Sequence, residues 1–309
     1  MRRVVLLGPQ RFEPNLSTTI DALGCGERLA VVTAGWQERE DETEELARHV
    51  DREIVNLRLY RRAEQVMAED EELAAALRRR QEGLRQLQAL YRLRLSSALD
   101  AARTLMRRPG RDGFVDEHRR AAIRAVRTLD RQHLVRVRKI HEEFDRHWRT
   151  AERVAVRRHR EPIAEALERA SALAIAGGHV AVLLSRLRLF DLLDLEPELP
   201  LIAWSAGAMA LSERVVLFHD SPPQGPGDAE VFEWGLGGIT GILPLPHAGR
   251  RLRLDDPWRV ALFARRFARA TCVALEPGTR LDWDGRDWIP CDRARALSRR
   301  GTLREMVPS

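Results

Sequence analysis

The sequence predicts an α/β protein built on a parallel sheet and interrupted by an inserted antiparallel coiled-coil hairpin of helices. Three observations carry that prediction. Short apolar, β-branched runs alternate with helical patterns toward both ends of the chain, as expected of strands buried on both faces of a parallel sheet. Between them, residues 60 to 106 contain no proline and one glycine, Gly83, while apolar side chains recur at every third or fourth position, which is a long helix. The turn cluster Pro109-Gly110-Arg111-Asp112-Gly113 then precedes a second long helical pattern.

In chain order, Val4 to Gly8 is a first buried strand and Leu16 to Leu23 a short helix. Arg28 to Gly35 is a second strand, Thr43 to Val50 a helix and Glu53 to Leu59 a third strand. The first long helix has its seam at Leu73, Leu77, Leu84, Leu87, Tyr91, Ala98, Ala102 and Leu105; the second at Val126, His133, Val137, Ile140, Phe144, Trp148, Ala151 and Ala155. Two helices of about 45 residues would make an arm about 65 Å long with solvent on most sides. Beyond Ile163 the strand and helix alternation returns, with a strand at Ala172 to Ala176 and a helix carrying Leu183, Leu184 and Leu187. The division expected is therefore a discontinuous α/β domain of residues 1–59 and 160–309, with residues 60–159 as the inserted arm.

Charge is distributed unevenly along the chain. Residues 58 to 160 hold 27 Arg and Lys against 15 Asp and Glu, a net of +12, so the remainder of a +6 chain carries −6. Arginine clusters such as Arg78-Arg79-Arg80 and Arg119-Arg120 suit a polyanion. Aromatics that could stack on bases are nearly absent from the arm, however, and Tyr91, Phe144 and Trp148 fall on the apolar seam. The arm is therefore expected to contact a second copy of the chain or a partner protein in preference to nucleic acid. Three scattered cysteines, Cys25, Cys272 and Cys291, and the absence of any long apolar run point to a cytoplasmic protein with free thiols and no membrane contact. No H-E-x-x-H or C-x-x-C pattern occurs, and His133, His141 and His147 are not spaced as helical ligands, so no metal or cofactor is expected.

The stretch Leu199 to Leu211, L-P-L-I-A-W-S-A-G-A-M-A-L, is the candidate for chemistry. An apolar run ends at Ser205 and small residues follow before a helical pattern resumes, as in a strand-to-helix elbow that presents a serine hydroxyl beside unpaired helix N–H groups. A serine there also serves as a helix cap, so the motif by itself leaves both roles open. Upstream, Gly177-Gly178-His179 follows a strand and precedes a helix; a glycine pair so placed either presents N–H groups to an oxyanion or makes a tight turn. Downstream, Gly235-Leu236-Gly237-Gly238-Ile239-Thr240-Gly241 fails the dinucleotide fingerprint at Thr240, and an apolar run leads to His247.

Taken together, the strand-Gly-Gly turn, W-S-A-G-A-M, G-L-G-G-I-T-G-I-L-P-L-P-H followed by R-R-L-R-L, and V-A-L-E-P-G-T-R-L resemble the dipeptidase E and cyanophycinase family of serine peptidases. The resemblance covers roughly residues 1 to 59 and 160 to 290 and leaves the arm outside. It implies a flavodoxin-like, class I glutamine amidotransferase-like sheet and hydrolysis of a short peptide or related amide. Residue by residue, it implies Ser205 as nucleophile, His247 as base and Glu276 as the triad acid, with Gly178 and the N–H of Ala206 as the oxyanion site. Asp220 is the rival acid; Glu276 is preferred because Asp220 opens a Pro/Gly-rich loop. Gly177, His179, Arg250 and Arg251 are candidates for holding substrate, since guanidinium groups grip carboxylates, although His179 could equally cap the next helix and the arginines could be surface charge. The chain departs from the family pattern at Ala203, in place of the elbow glycine, at His179 and at Arg280. The competing class is a catalytically weak or inactive binding protein on the same fold.

Overall fold

The computed structural model describes residues 2–110, 113–219 and 227–307. The first α/β units are β1 (Val4–Leu7), α1 (Leu16–Ala22), β2 (Arg28–Val32), α2 (Glu44–Val50) and β3 (Glu53–Asn56), with a 3-10 segment, Ala34–Arg39, after β2. Four helices follow: α3 (Leu59–Glu69), α4 (Glu71–Arg107), α5 (Gly113–Trp148) and α6 (Val154–Glu168). The chain then returns to the sheet through β4 (Ala172–Ile175), α7 (Val180–Leu189), α8 (Leu192–Leu195), β5 (Leu201–Trp204) and α9 (Ala206–Leu211). An antiparallel pair, β6 (Arg214–Leu217) and β7 (Glu230–Trp234), precedes β8 (Ile242–Pro246), α10 (Ala248–Arg251), α11 (Pro257–Arg266) and β9 (Thr271–Leu275). The last elements are β10 (Arg280–Trp283), β11 (Trp288–Asp292), β12 (Arg295–Leu297) and β13 (Leu303–Glu305).

The main sheet has the order β11-β10-β1-β5-β4-β2-β3. Its five strands from β1 to β3 along that order are mutually parallel, and β10 and β11 add antiparallel pairs at one side. Strands β2 to β5 are arranged as the first four of a flavodoxin order, but β1, the first strand of the chain, takes the place of the fifth. Alternation along each strand divides the core. Val5, Leu7, Leu29, Val31, Ala172, Ala174 and Ile202 face α1 and α2; Val4, Leu6, Ala30, Val32, Leu173, Ile175, Leu201 and Ala203 face the larger core on the other side. A second, four-stranded sheet runs β13-β12-β9-β8, with β8 and β9 parallel.

The inserted helices are shorter and differently placed than periodicity alone suggests. The first long helix breaks at Asp70 (φ −128°, ψ 81°), whose carboxylate accepts from the N–H of Leu73 to cap α4 and also takes two bonds from Arg153, at 2.6 and 2.7 Å. The hairpin proper is thus α4 and α5, of 37 and 36 residues, about 55 Å long. It does not stand out in solvent. Tyr91, Leu95, Leu99 and Met106 of α4 and Ile123, Val126 and Val137 of α5 are buried, and the pair packs along β7 and α11. Asp130, buried on α5, receives two bonds from Arg266 of α11 at 2.7 and 2.8 Å and one from the hydroxyl of Tyr91 at 2.7 Å. That hydroxyl in turn accepts from the N–H of Val231 in β7. Among the described residues, no helix is long and apolar enough to cross a membrane.

Candidate active site

Ser205 sits at the junction of β5 and α9 with φ 52° and ψ −121°, a region that L side chains rarely occupy and that costs about 1–3 kcal/mol unless the surroundings impose it. They do impose it. A Cβ on Gly207 would collide with the carbonyl oxygen of Ile175, and one on Gly177 would stand 2.7 Å from the Cβ of Ser205, so the turn closes only with glycine at both places. Ala203 is accommodated because its methyl lies in the core face of β5, fully buried. Ala206 opens α9, which leaves its N–H without an intrahelical acceptor beside the serine. The side chain of Ser205 is not held as a cap.

The glycine pair is fastened from the other side. Gly178 (φ 113°) abuts the carbonyl of Gly35, and the N–H of His179 donates to that same carbonyl at 2.7 Å. The imidazole of His179 caps α7, its Nδ1 accepting from the N–H of Val182 at 3.3 Å. It is absent from the lining of the cleft, whereas Gly177 and Gly178 belong to it.

His247 and Glu276 come from the second sheet, not from the main one that carries Ser205. The parallel register ends with Pro246 opposite Leu275, so the two residues leave β8 and β9 side by side, and the N–H of His247 donates to the carbonyl of Leu275 at 3.1 Å. Gly8 joins the sheets. Its missing Cβ lets the end of β1 lie against the carbonyl of Glu276, and its N–H donates to Thr279 at 2.9 Å. Ser205, His247 and Glu276 consequently line one open cleft of about 1710 Å³. Among the described residues no hydrogen bond links Ser205 to His247 or His247 to Glu276. Instead, Oε1 of Glu276 accepts from the N–H of Gly249 at 2.6 Å. Catalytic hydrogen bonds are commonly long before substrate binds; the three side chains share the lining of one cleft. Asp220 lies outside the described residues.

Electrostatics favour a neutral imidazole. Burial, followed by the charges of Arg251 and Arg250, pushes His247 below its ordinary value. Both arginines line the cleft, Arg250 exposed and Arg251 half-buried. Their guanidinium groups have no carboxylate partner among the described residues. Burial and the neighbouring Arg250 also lower Arg251, as expected for a cation awaiting a counter-charge. Among the described residues, no three His, Cys, Asp or Glu side chains are grouped as a metal would require.

Other cleft residues had no motif to announce them. Trp36, Met209 and Phe218 give it an apolar wall, and Gln10 shapes its rim by accepting from the N–H groups of Asn15 and Leu16 at the start of α1. Glu230 faces the cleft while paired with Arg92 and Gln88 of α4. That role arises only once the hairpin has folded back on β7, which no local pattern encodes.

Compared with known proteins, the chain matches no family profile and no curated protein. Among solved structures it is similar to a peptidase from an acI-B1 Actinobacterium, with a TM-score of 0.47 and 12% identity over 97% of this chain and 91% of that one. It is also similar to a candidate peptidase E protein from Listeria monocytogenes EGD-e, with a TM-score of 0.30 and 15% identity over 43% of this chain and 64% of that one.

Proposed function

We propose that this protein is a serine hydrolase that cleaves a short peptide or related amide through an acyl-serine intermediate. The observation that carries the proposal is the backbone of Ser205, held at positive φ between β5 and α9 and pressed against Gly177. A residue that merely capped a helix would have no need of that strain.

In the proposed reaction His247 takes the proton of the Ser205 hydroxyl as its oxygen attacks the carbonyl carbon. The N–H groups of Ala206 and Gly178 receive the negative oxygen of the tetrahedral intermediate. His247 then returns the proton to the departing amine, the C–N bond breaks, and the acyl group remains on Ser205. Water, deprotonated by the same imidazole, attacks the ester; the C–O bond to the serine breaks, and the acid product and free hydroxyl result. Glu276 supports the imidazolium after turning from the N–H of Gly249, and Arg250 and Arg251 hold a carboxylate of the substrate in two-pronged fashion.

A binding protein on the same fold is the alternative, favoured by the engagement of Glu276 with Gly249 and by the missing Ser205–His247 bond. A fluorophosphonate probe separates the two. The hydrolase is expected to be labelled as wild type, not labelled as Ser205→Ala, and labelled at least about 10³-fold more slowly as His247→Gln. Wild type that resists the probe, or Ser205→Ala that reacts equally, would leave the binding protein.

A further inference from the structure

One flank of α5 carries Arg120, Arg124, Arg127 and Arg131 at spacings of four, three and four residues. Such spacing places them on one side of the helix, each about 4.5 to 6 Å along from the last. Arg127 donates to the carbonyl oxygens of Arg265 and Arg266, so the row borders the carboxyl end of α11. Facing it are Arg265 and Arg269, and the turn between β12 and β13 adds Arg299 and Arg300. The turn is tied to the helix end: Arg265 donates to the carbonyl of Arg299, and Arg299 to that of Ala268, both at 3.1 Å. Burial, and then the charges of Arg299 and Arg269, lower Arg127.

No carboxylate compensates them. Residues 120–131, 265–270 and 295–304 contain a single acid, Asp130, and it is buried in its bonds to Arg266 and Tyr91. Among the described residues, Arg120, Arg124, Arg127 and Arg131 of the row and Arg265, Arg269, Arg299 and Arg300 facing it make no ion pair. The half-charge of one helix C-terminus offsets little of that surplus. None of them lines the cleft with Ser205.

We propose that this arginine-rich surface binds duplex nucleic acid through its phosphate backbone, without reading sequence. A regular row of guanidinium forks suits a linear array of phosphates. Bound single strands call for stacking aromatics, and residues 120–131, 265–270 and 295–304 hold a single aromatic, Phe267, which is buried. A bilayer surface calls for an apolar face to insert, and Val135 is the one exposed large apolar side chain continuing the row among the described residues.

The test is fluorescence anisotropy of the full-length protein with a labelled duplex of about 20 base pairs, between about 50 and 200 mM salt. Binding is expected at the lower salt and should weaken steeply toward the higher. The variant carrying Arg124→Glu, Arg131→Glu and Arg269→Glu should bind at least about 10-fold more weakly, with its salt slope reduced by about three. Its melting temperature and its labelling at Ser205 should match wild type, and the corresponding lysine variant should keep most of the affinity. The proposal is overturned by a duplex that does not bind at about 50 mM salt, by a glutamate variant that binds as wild type does, or by phosphatidylserine vesicles or polyglutamate outcompeting the duplex. Loss of probe labelling in wild type would touch the hydrolase proposal alone.

Discussion

At Ser205 a strained backbone and a missing side chain act together, because the Cβ of the serine occupies the space that any side chain on Gly177 would need. Gly177→Ala should therefore displace the hydroxyl by a large fraction of an ångström and slow probe labelling by about 10²-fold, measured on protein whose melting curve is retained. Labelling at the wild-type rate would mean that the contact does not set the serine. His247 gives a second expectation. Its base function requires the neutral ring, and burial with the nearby Arg251 and Arg250 charges favours that form, so kcat/KM should rise with pH through a midpoint below about 6.5. Arg251→Ala removes a like charge, makes protonation easier and should move that acid limb to higher pH; an unmoved limb would contradict the electrostatic account. The strand-to-helix turn at Ser205 was legible in the sequence because a strand, a serine and small residues are adjacent in the chain. Trp36 and Glu230 were not, since each reaches the cleft only through tertiary packing.

The helical hairpin carries the lesson at the scale of elements. Its period announced two long helices with an apolar seam, but a period reveals that a face is buried without revealing what covers it. Asp130 and His133 interrupt the seam. In the fold they are its most specific contacts: Asp130 with Arg266 and Tyr91, and His133 stacked on Tyr91 at 4.2 Å with Nε2 donating to the carbonyl of Phe232 at 3.1 Å. The hairpin thereby clasps β7, which carries Glu230 into the cleft wall. Asp130→Ala would leave a buried guanidinium without its counter-charge, at a cost of about 3–5 kcal/mol, read from urea unfolding as a lower midpoint. A cost below about 1 kcal/mol would mean that water reaches the pair. The inner face of the hairpin is thus occupied by its own body, and any partner must use the outer one.

For the whole molecule, the α/β class and the parallel strands were readable because fully buried strands are short, apolar and β-branched. Topology was not: nothing local indicates that β1 takes the last parallel place, or that His247 and Glu276 belong to a separate sheet brought alongside by Gly8. A cleft assembled from two sheets can nevertheless gather a hydroxyl, an imidazole and a carboxylate, provided that small side-chain rotations complete their contacts. A crystal structure of the protein after reaction with a fluorophosphonate tests that claim most directly. The account predicts phosphorus bonded to Oγ of Ser205, its oxygen within hydrogen-bond reach of the N–H groups of Gly178 and Ala206, and the ring of His247 turned toward Oγ. A phosphonyl group on another residue, or one on Ser205 with its oxygen pointing away from those amides and His247 out of reach, would contradict it.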